Sequence, residues 1–336
     1  MAVRVGINGF GRIGRNFFRA ARRRGADLDV VAVNDLTSPA TLAHLLRYDS
    51  VLGRLDDEVA ATDDGIDVGG TAFKVLSERE PAKLPWGDLG VDVVVESTGF
   101  FTDRDKAAGH IDGGAPRVII SAPATGVDAT FVMGVNDGTF DPARHTVVSN
   151  ASCTTNCFVP LVKVLDDAFG VSKGLMTTVH AMTNDQNLLD LQHKDLRRGR
   201  SAAINIVPAS TGAARATSLV MESMAGRLDG TALRVPIPVG SITDFTVILD
   251  REVSVDEVND AFEKAAAGDL AGVLEYSVDP IVSSDIVGNP ASCIFDSTMT
   301  MTMGELVKVA GWYDNEWGYS NRLVDLTLKV GAANQA

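Results

Sequence analysis

Apolar residues in the first half of the chain come in short runs rather than in alternation. Val3–Ile7, Val30–Val33, Val91–Val95, Val118–Ile120, Phe131–Met133 and Thr146–Val148 are each rich in β-branched or aromatic residues. Turn-like or helical stretches separate them, such as the one carrying Phe17, Phe18 and Ala21. Strands that are apolar on both sides suit a parallel sheet covered on both faces. The pattern predicts a doubly wound α/β domain over residues 1–150.

Beyond residue 150 the texture changes. A helix is expected from near Ser152 to about Phe169, and a second, amphipathic one over Asp256–Ala267. Longer strands are expected at Leu175–His180, Ala232–Pro236, Thr243–Leu249 and Val307–Gly311. This predicts an α+β domain over 151–315 with a mainly antiparallel sheet. A last helix over 316–336, with Leu323, Leu326 and Leu328 available for burial, is expected to pack back on the first domain. No internal repeat or low-complexity tract interrupts the chain.

Size and charge narrow the picture. At 336 residues the chain is long enough for two domains with large cores. The net charge of -14 argues against nucleic acid and anionic membranes as partners. No apolar run approaches the ~20 residues of a membrane span. The start, Met1–Ile7, is interrupted too soon for a signal peptide and reads as a strand. The three cysteines, Cys153, Cys157 and Cys293, give no disulfide framework and fit a reducing cytoplasm. No metal-ligand spacing is present.

Gly9-Phe10-Gly11-Arg12-Ile13-Gly14 follows the first predicted strand and opens the first predicted helix. In that setting Gly9 makes the tight turn, Gly11 lets a pyrophosphate approach the backbone, and Gly14 permits close helix–strand packing. The helix N-terminus supplies amide donors to the phosphates. Asp35 ends the second strand at the place where an acid binds adenosine ribose hydroxyls and repels a 2′-phosphate, which favours NAD over NADP.

Ser149–Cys157 joins a strand-like segment to a helix-like one. Cys153 then falls in a helical first turn, where thiol pKa values drop and thiolates form. Ser152, Thr154 and Thr155 crowd it with hydroxyls. Cys157, one turn on beside Phe158 and Val159, reads as structural. His180 ends a predicted strand before the polar turn Thr183-Asn184-Asp185, where an imidazole could serve a thiol as base. The loop His193–Arg200 is locally basic, and Ser210-Thr211-Gly212 with Arg234 add groups of the kind that bind phosphate.

These stretches together resemble the phosphorylating glyceraldehyde-3-phosphate dehydrogenase family along almost the whole chain. Val5–Arg15, Val33–Asp35, Glu96–Gly99, Ile120–Pro123, Ala151–Cys157, Ser210–Ala214 and Gly311–Tyr319 carry the resemblance, in the family's order. It implies a Rossmann-type dinucleotide-binding domain, NAD as cofactor, and oxidation of glyceraldehyde 3-phosphate to 1,3-bisphosphoglycerate in glycolysis or gluconeogenesis. It implies Cys153 as thiolate nucleophile and His180 as its base. Thr183, Arg234 and Arg198 correspond to the site for the substrate's phosphate. Ser152, Thr154, Thr211 and Gly212 correspond to the site for attacking inorganic phosphate. Arg12, Ile13, Asp35, Arg79, Ser121 and Asn315 correspond to NAD contacts, with Asn315 orienting the nicotinamide. A cytoplasmic homotetramer is implied, with the loop 182–205 near a neighbouring subunit's cofactor.

Two positions depart from the family pattern. Gln192 stands where NAD-specific relatives carry proline, which leaves NADP use open, and Met182 replaces an expected tyrosine. Erythrose-4-phosphate dehydrogenase shares the fold and the cysteine motif, and is the alternative reading. A binding or redox-sensing protein on a dehydrogenase fold is the alternative from another class.

Overall fold

The computed structural model describes residues 1–333. The chain divides into two compact units. Met1–Phe131, Asp137–Ala151 and the chain from Ser320 onward form the first; Val132–Asn136 and Ser152–Tyr319 form the second.

The first unit is built on a nine-stranded sheet. From one edge its order is Ala129–Thr130, Val147–Ser149, Val118–Ile120, Val93–Glu96, Val3–Asn8, Leu28–Asn34, Thr71–Leu76, Gly65–Val68 and Val59–Ala61. All neighbours are parallel as far as Thr71–Leu76, and the last three strands form an antiparallel meander. The chain leaves Val3–Asn8 to build one flank through Leu28–Asn34, then returns to build the other through Val93–Glu96. That reversal opens a crevice at the carboxyl end of the first strand, the usual ligand position in such sheets.

Two expectations need correction here. Phe131–Met133 is not a strand; the strand is Ala129–Thr130. Phe131 is fully buried because its ring packs edge-on against Phe140 and His145, so the apolar signal came from a packed loop. The Val91–Val95 run becomes a strand only from Val93. The last helix spans Trp317–Ala332, and residues 334–336 of the expected segment lie outside the described residues. Within the first unit this helix is tied down by Arg24, which bonds the Asn321 carbonyl at 3.1 Å and Asp325 at 2.6 Å, and by Lys329 on Asp137 at 2.5 Å.

The second unit carries an eight-stranded sheet ordered Val207–Ser210, Leu228–Val235, Val171–Ala181, Ser241–Leu249, Leu306–Tyr313, Cys293–Asp296 and Leu274–Ser277, with Met301–Met303 pairing to Leu306–Tyr313. The sheet is mainly antiparallel, with two parallel pairs: Val171–Ala181 on Leu228–Val235, and Leu274–Ser277 on Cys293–Asp296. The helix Cys153–Phe169 lies on it. Phe158, Leu161 and Leu165 share one core with Phe245, Val247 and Val309. Phe158 meets Phe245 edge to face at 4.8 Å between ring centres, a favoured aromatic geometry.

Helix and strand come closest at Gly311. A Cβ there would sit 2.6 Å from Cys293 Sγ, 3.1 Å from Leu161 Cδ1 and 3.3 Å from Cys157 Sγ. Gly311→Ala is therefore expected to destabilise the protein by ~1–3 kcal/mol through overpacking, read as a lower urea midpoint. An unchanged midpoint would show that the helix gives way freely.

Candidate active site

The residues that lead into the helix Cys153–Phe169 determine where Cys153 stands. Ala151 has φ 55°, in the left-handed region that a residue with a Cβ seldom adopts, and no other non-glycine residue described has a positive φ. Ser152 follows as N-cap, its hydroxyl accepting the Thr155 N–H at 3.0 Å. Cys153 is thus the first residue of its helix. The sulfur faces the backbone N–H groups of Cys153 and Thr154 and the Thr154 hydroxyl.

Cys153 Sγ lies 3.4 Å from His180 Nε2. His180 is buried near the end of the strand Val171–Ala181. The parallel register sets His180 opposite Arg234 on the neighbouring strand. Arg234 Nη1 reaches His180 Nδ1 at 2.8 Å and the Ala181 carbonyl at 3.0 Å, while Nδ1 is 2.7 Å from that same carbonyl. Burial, then the Arg234 charge, push the imidazole down to about 3, so it is neutral at physiological pH. Burial pushes the Cys153 thiol up, against the pull of Arg234, the Thr154 hydroxyl and the two amides. This corrects the expectation that helix position alone would lower the thiol. With its Nδ1–H donated to the Ala181 carbonyl, the neutral imidazole turns an unprotonated Nε2 toward the thiol, beside a fixed positive charge that favours the thiolate as it forms.

Tyr313 completes the cluster, and no role for it was read from the sequence. Its buried hydroxyl lies 2.8 Å from both Thr154 Oγ1 and Thr178 Oγ1, and its ring meets His180 edge-on at 5.9 Å. Burial pushes the phenol up, so it stays protonated. Thr178 and His180 are two apart on one strand and so share a face. Tyr313 sits inside the stretch Gly311–Tyr319, and that was the available signal.

The anion-binding candidates are placed unevenly. Arg198 bonds Asp185 at 2.6 Å and the Ser210 carbonyl at 3.2 Å, and lies near enough to Arg234 for their charges to repel. Asp185 and Asp195 both pair with Arg198, so its charge is already partly balanced. Thr183 lies in the turn after Ala181, its carbonyl accepting the Gln186 N–H at 2.9 Å. Thr211 Oγ1 accepts the Ala213 N–H at 3.2 Å, and Gly212 precedes the short helix Ala213–Ala216. Ala213 and Ala214 belong to the core against which Cys153 packs. The Thr154 hydroxyl is shared with Tyr313, whereas the Ser152 hydroxyl serves Thr155. Met182 hydrogen-bonds the Ile237 carbonyl through its backbone, and nothing in the structure explains its side chain.

In the first unit, a cavity of about 450 Å³ opens at the carboxyl end of the first strand, lined by Gly9, Gly11, Asp35, Arg79, Ser97 and Thr98 among others. Gly9 has φ 90°, and a Cβ on it would lie 2.6 Å from the Thr98 nitrogen. A Cβ on Gly14 would collide with the Gly9 carbonyl, whereas at Gly11 it would meet nothing within 4 Å. Turn, close packing and open backbone are thus divided among the three glycines as a dinucleotide requires, and the residues fit NAD. Asp35 accepts the Phe10 N–H at 3.0 Å, which fixes its carboxylate at the cavity wall. The Arg12 guanidinium is paired with Asp49 at 2.5 Å, and Arg12 and Ile13 open the first helix. Ser121 follows the strand Val118–Ile120 and bonds the Glu96 carbonyl at 2.9 Å.

Beneath the cavity runs a buried network with no role assigned from the sequence. Glu96 accepts from Asn8 at 2.6 Å and from the Thr98 N–H at 2.8 Å, and lies 3.0 Å from His110 Nε2. Trp86 donates to His110 Nδ1 at 3.0 Å, so Nε2 carries the proton that Glu96 receives. Asn34 bonds Asn8 at 2.7 Å and both polar backbone groups of Glu78 at 2.8 Å. Three strand ends are therefore held in fixed relation. Among the described residues no helix is long and apolar enough to cross a membrane, and no cluster of three or more His, Cys, Asp or Glu side chains could hold a metal.

Comparison with known proteins agrees with this layout. Residues 3–104 match the glyceraldehyde 3-phosphate dehydrogenase NAD binding domain, and residues 152–315 match the C-terminal domain of the same family. The chain is 64% identical over 333 residues to glyceraldehyde-3-phosphate dehydrogenase of Streptomyces coelicolor, covering 98% of this chain and 99% of that protein. It is 63% identical over 332 residues to glyceraldehyde-3-phosphate dehydrogenase 2 of Streptomyces avermitilis, with the same coverage. It is also 63% identical over 337 residues to the Mycobacterium tuberculosis enzyme, again over 98% and 99% of the two chains. The glycine cradle, the Cys153–His180 pair and these full-length matches make one statement: the chain belongs to the glyceraldehyde-3-phosphate dehydrogenase family.

Proposed function

We propose that this protein oxidises glyceraldehyde 3-phosphate to 1,3-bisphosphoglycerate, using NAD and inorganic phosphate. The observation that carries the proposal is the 3.4 Å approach of Cys153 Sγ to His180 Nε2 on two rigid elements. The names of the full-length relatives support this reading over the erythrose-4-phosphate alternative.

His180 takes the thiol proton, and Cys153 sulfur adds to the aldehyde carbon to give a hemithioacetal. The developing oxyanion meets the Cys153 N–H, which the first turn of a helix leaves without an internal partner, and takes the proton back from the imidazolium, which leaves a hydroxyl and a neutral His180. NAD, when bound, supplies the hydride acceptor. As the C1 hydride leaves, His180 accepts the hydroxyl proton and the carbonyl re-forms as a thioester. A phosphate oxygen then adds to the thioester carbon. The C–S bond breaks, the acyl phosphate departs, and the sulfur recovers its electron pair beside His180 and Arg234. Thr183, Arg234 and Arg198 hold the substrate's phosphate; Ser152, Thr154, Thr211 and Gly212 hold the attacking one. The first unit binds the cofactor, with Gly9, Gly11 and Gly14 admitting its phosphates, Asp35 its ribose, and Arg79 and Ser121 further contacts; Asn315, on the second unit, is the residue proposed to meet the nicotinamide carboxamide.

The assembly is proposed to be a homotetramer in the cytoplasm. Leu188, Leu189, Leu191, Leu196, Ile204 and Ile206 are all at least 65% exposed along one stretch. Leu175, Met301 and Met303 leave a second apolar area open on the second unit's sheet. Monomers rarely present so much apolar surface to water. All three cysteines are free, as a reducing compartment requires.

Two experiments test this reading. NADH formation from glyceraldehyde 3-phosphate is expected to require phosphate. Cys153→Ser should abolish it, and His180→Asn should lower kcat about 10²–10⁴-fold, the usual worth of a general base, with NAD binding retained in both. Phosphate-independent turnover, or a Cys153→Ser variant of substantial activity, would refute the assignment. Light scattering at micromolar concentration should give four times the chain mass, and a monomer would refute the tetramer.

A further inference from the structure

Asn315 follows the strand Leu306–Tyr313 by two residues and is 5% exposed. The two ends of its amide have nearly the same shape, so packing alone does not decide which faces a ligand. Hydrogen bonding does. The Gly240 N–H lies 3.1 Å from one end, and a backbone N–H can only donate, so that end is Oδ1. The Ser241 hydroxyl lies 3.1 Å from the same oxygen. It already accepts the Ala181 N–H at 3.1 Å, which directs its own proton to Asn315. Both acceptor sites of Oδ1 are then filled. Nδ2, with two N–H donors, is the end left for a ligand.

The two partners are themselves fixed. Gly240 has φ 90°, and a Cβ there would fall 2.5 Å from the Ser283 carbonyl, so only glycine keeps this backbone. Ser241 is 1% exposed and pairs with Tyr313 across the antiparallel ladder. Through Ala181 its hydroxyl also joins the strand that carries His180. One serine therefore links the base's strand to the Asn315 amide.

We infer that Ser241 is a positioning residue: with the Gly240 amide it holds Asn315 nitrogen-first, so that the cofactor's carboxamide is read through its carbonyl oxygen and the nicotinamide ring is presented by one face. This rests on the NAD-dependent reading above. A donor that cannot turn round makes no demand on the carboxamide NH₂ group. The site should accept pyridine dinucleotides that keep a 3-carbonyl oxygen, including the methyl ketone analogue, 3-acetylpyridine adenine dinucleotide. Without the serine only the Gly240 N–H opposes rotation of Asn315, and a fraction of molecules can then offer Oδ1. That oxygen can accept from the NH₂ of NAD but has no donor to meet on the methyl ketone.

The test compares kcat/KM for NAD and for the methyl ketone analogue in the native enzyme, Ser241→Ala and Ser241→Thr. It also follows deuterium from C1-labelled glyceraldehyde 3-phosphate into the two C4 positions of the reduced cofactor. Ser241→Ala should lower efficiency with the analogue relative to NAD by about three- to tenfold, the size of one neutral hydrogen bond. It should also let label appear at both C4 positions, while KM for glyceraldehyde 3-phosphate stays the same. Ser241→Thr keeps the hydroxyl and should restore the native ratio. If Ser241→Ala does not fold, Ser241→Cys carries the same comparison with a weak donor. A native analogue-to-NAD ratio and label at a single position in the hydroxyl-less variant would overturn the inference. Failure of the native enzyme to use NAD at all would instead overturn the function on which it rests.

Discussion

The chemistry of the second unit depends on one contact, Cys153 Sγ to His180 Nε2 at 3.4 Å. Each side is held by a different device. Cys153 is set by a left-handed Ala151 and a capping Ser152, which start the helix abruptly. His180 is set by strand register, which puts Arg234 directly opposite. Arg234 then does two things at once. It adds to burial, the larger cause, in keeping the imidazole neutral, and it offers the sulfur a positive charge to lean on. A carboxylate in its place would favour imidazolium and remove the acceptor.

The same strands carry the supporting contacts. Tyr313 reaches across to Thr154 and Thr178, tying the helix that begins at Cys153 to the strand that carries His180. It can do so because Gly311, two residues earlier on the same face, lets that strand approach the helix closely. Ser241 pairs with Tyr313 and connects Ala181 to Asn315. The helix that begins at Cys153, the strand that carries His180 and the Asn315 amide thus rest on one hydrogen-bonded frame at one end of a sheet. In the first unit the Glu96 network does comparable work, binding the ends of three strands together beneath the glycine turn.

Much of this was legible from sequence where local pattern decides the outcome. Apolar runs marked the buried strands, and the glycine spacing marked the cofactor turn. A strand-like segment running into a helix-like one marked Cys153. Pattern misled where burial came from a loop, as at Phe131. The antiparallel meander over 59–76 passed unread because its strands are short and partly exposed. The partnership of Tyr313 with Thr154 spans 159 positions and depends on sheet order. His110 reads as an ordinary histidine until Trp86 and Glu96 are seen on either side of its ring. The thiol's environment was also out of reach, because burial opposes the helix terminus and only the packed structure reveals it.

The most direct test of the central claim is to catch the covalent intermediate. Enzyme mixed with glyceraldehyde 3-phosphate and NAD in phosphate-free buffer should stop at the thioester. Intact-protein mass spectrometry should then show one added acyl group per chain, peptide mapping should locate it on Cys153, and added phosphate should remove it. An unmodified chain after the first turnover, or an acyl group on Cys157 or Cys293, would contradict the account.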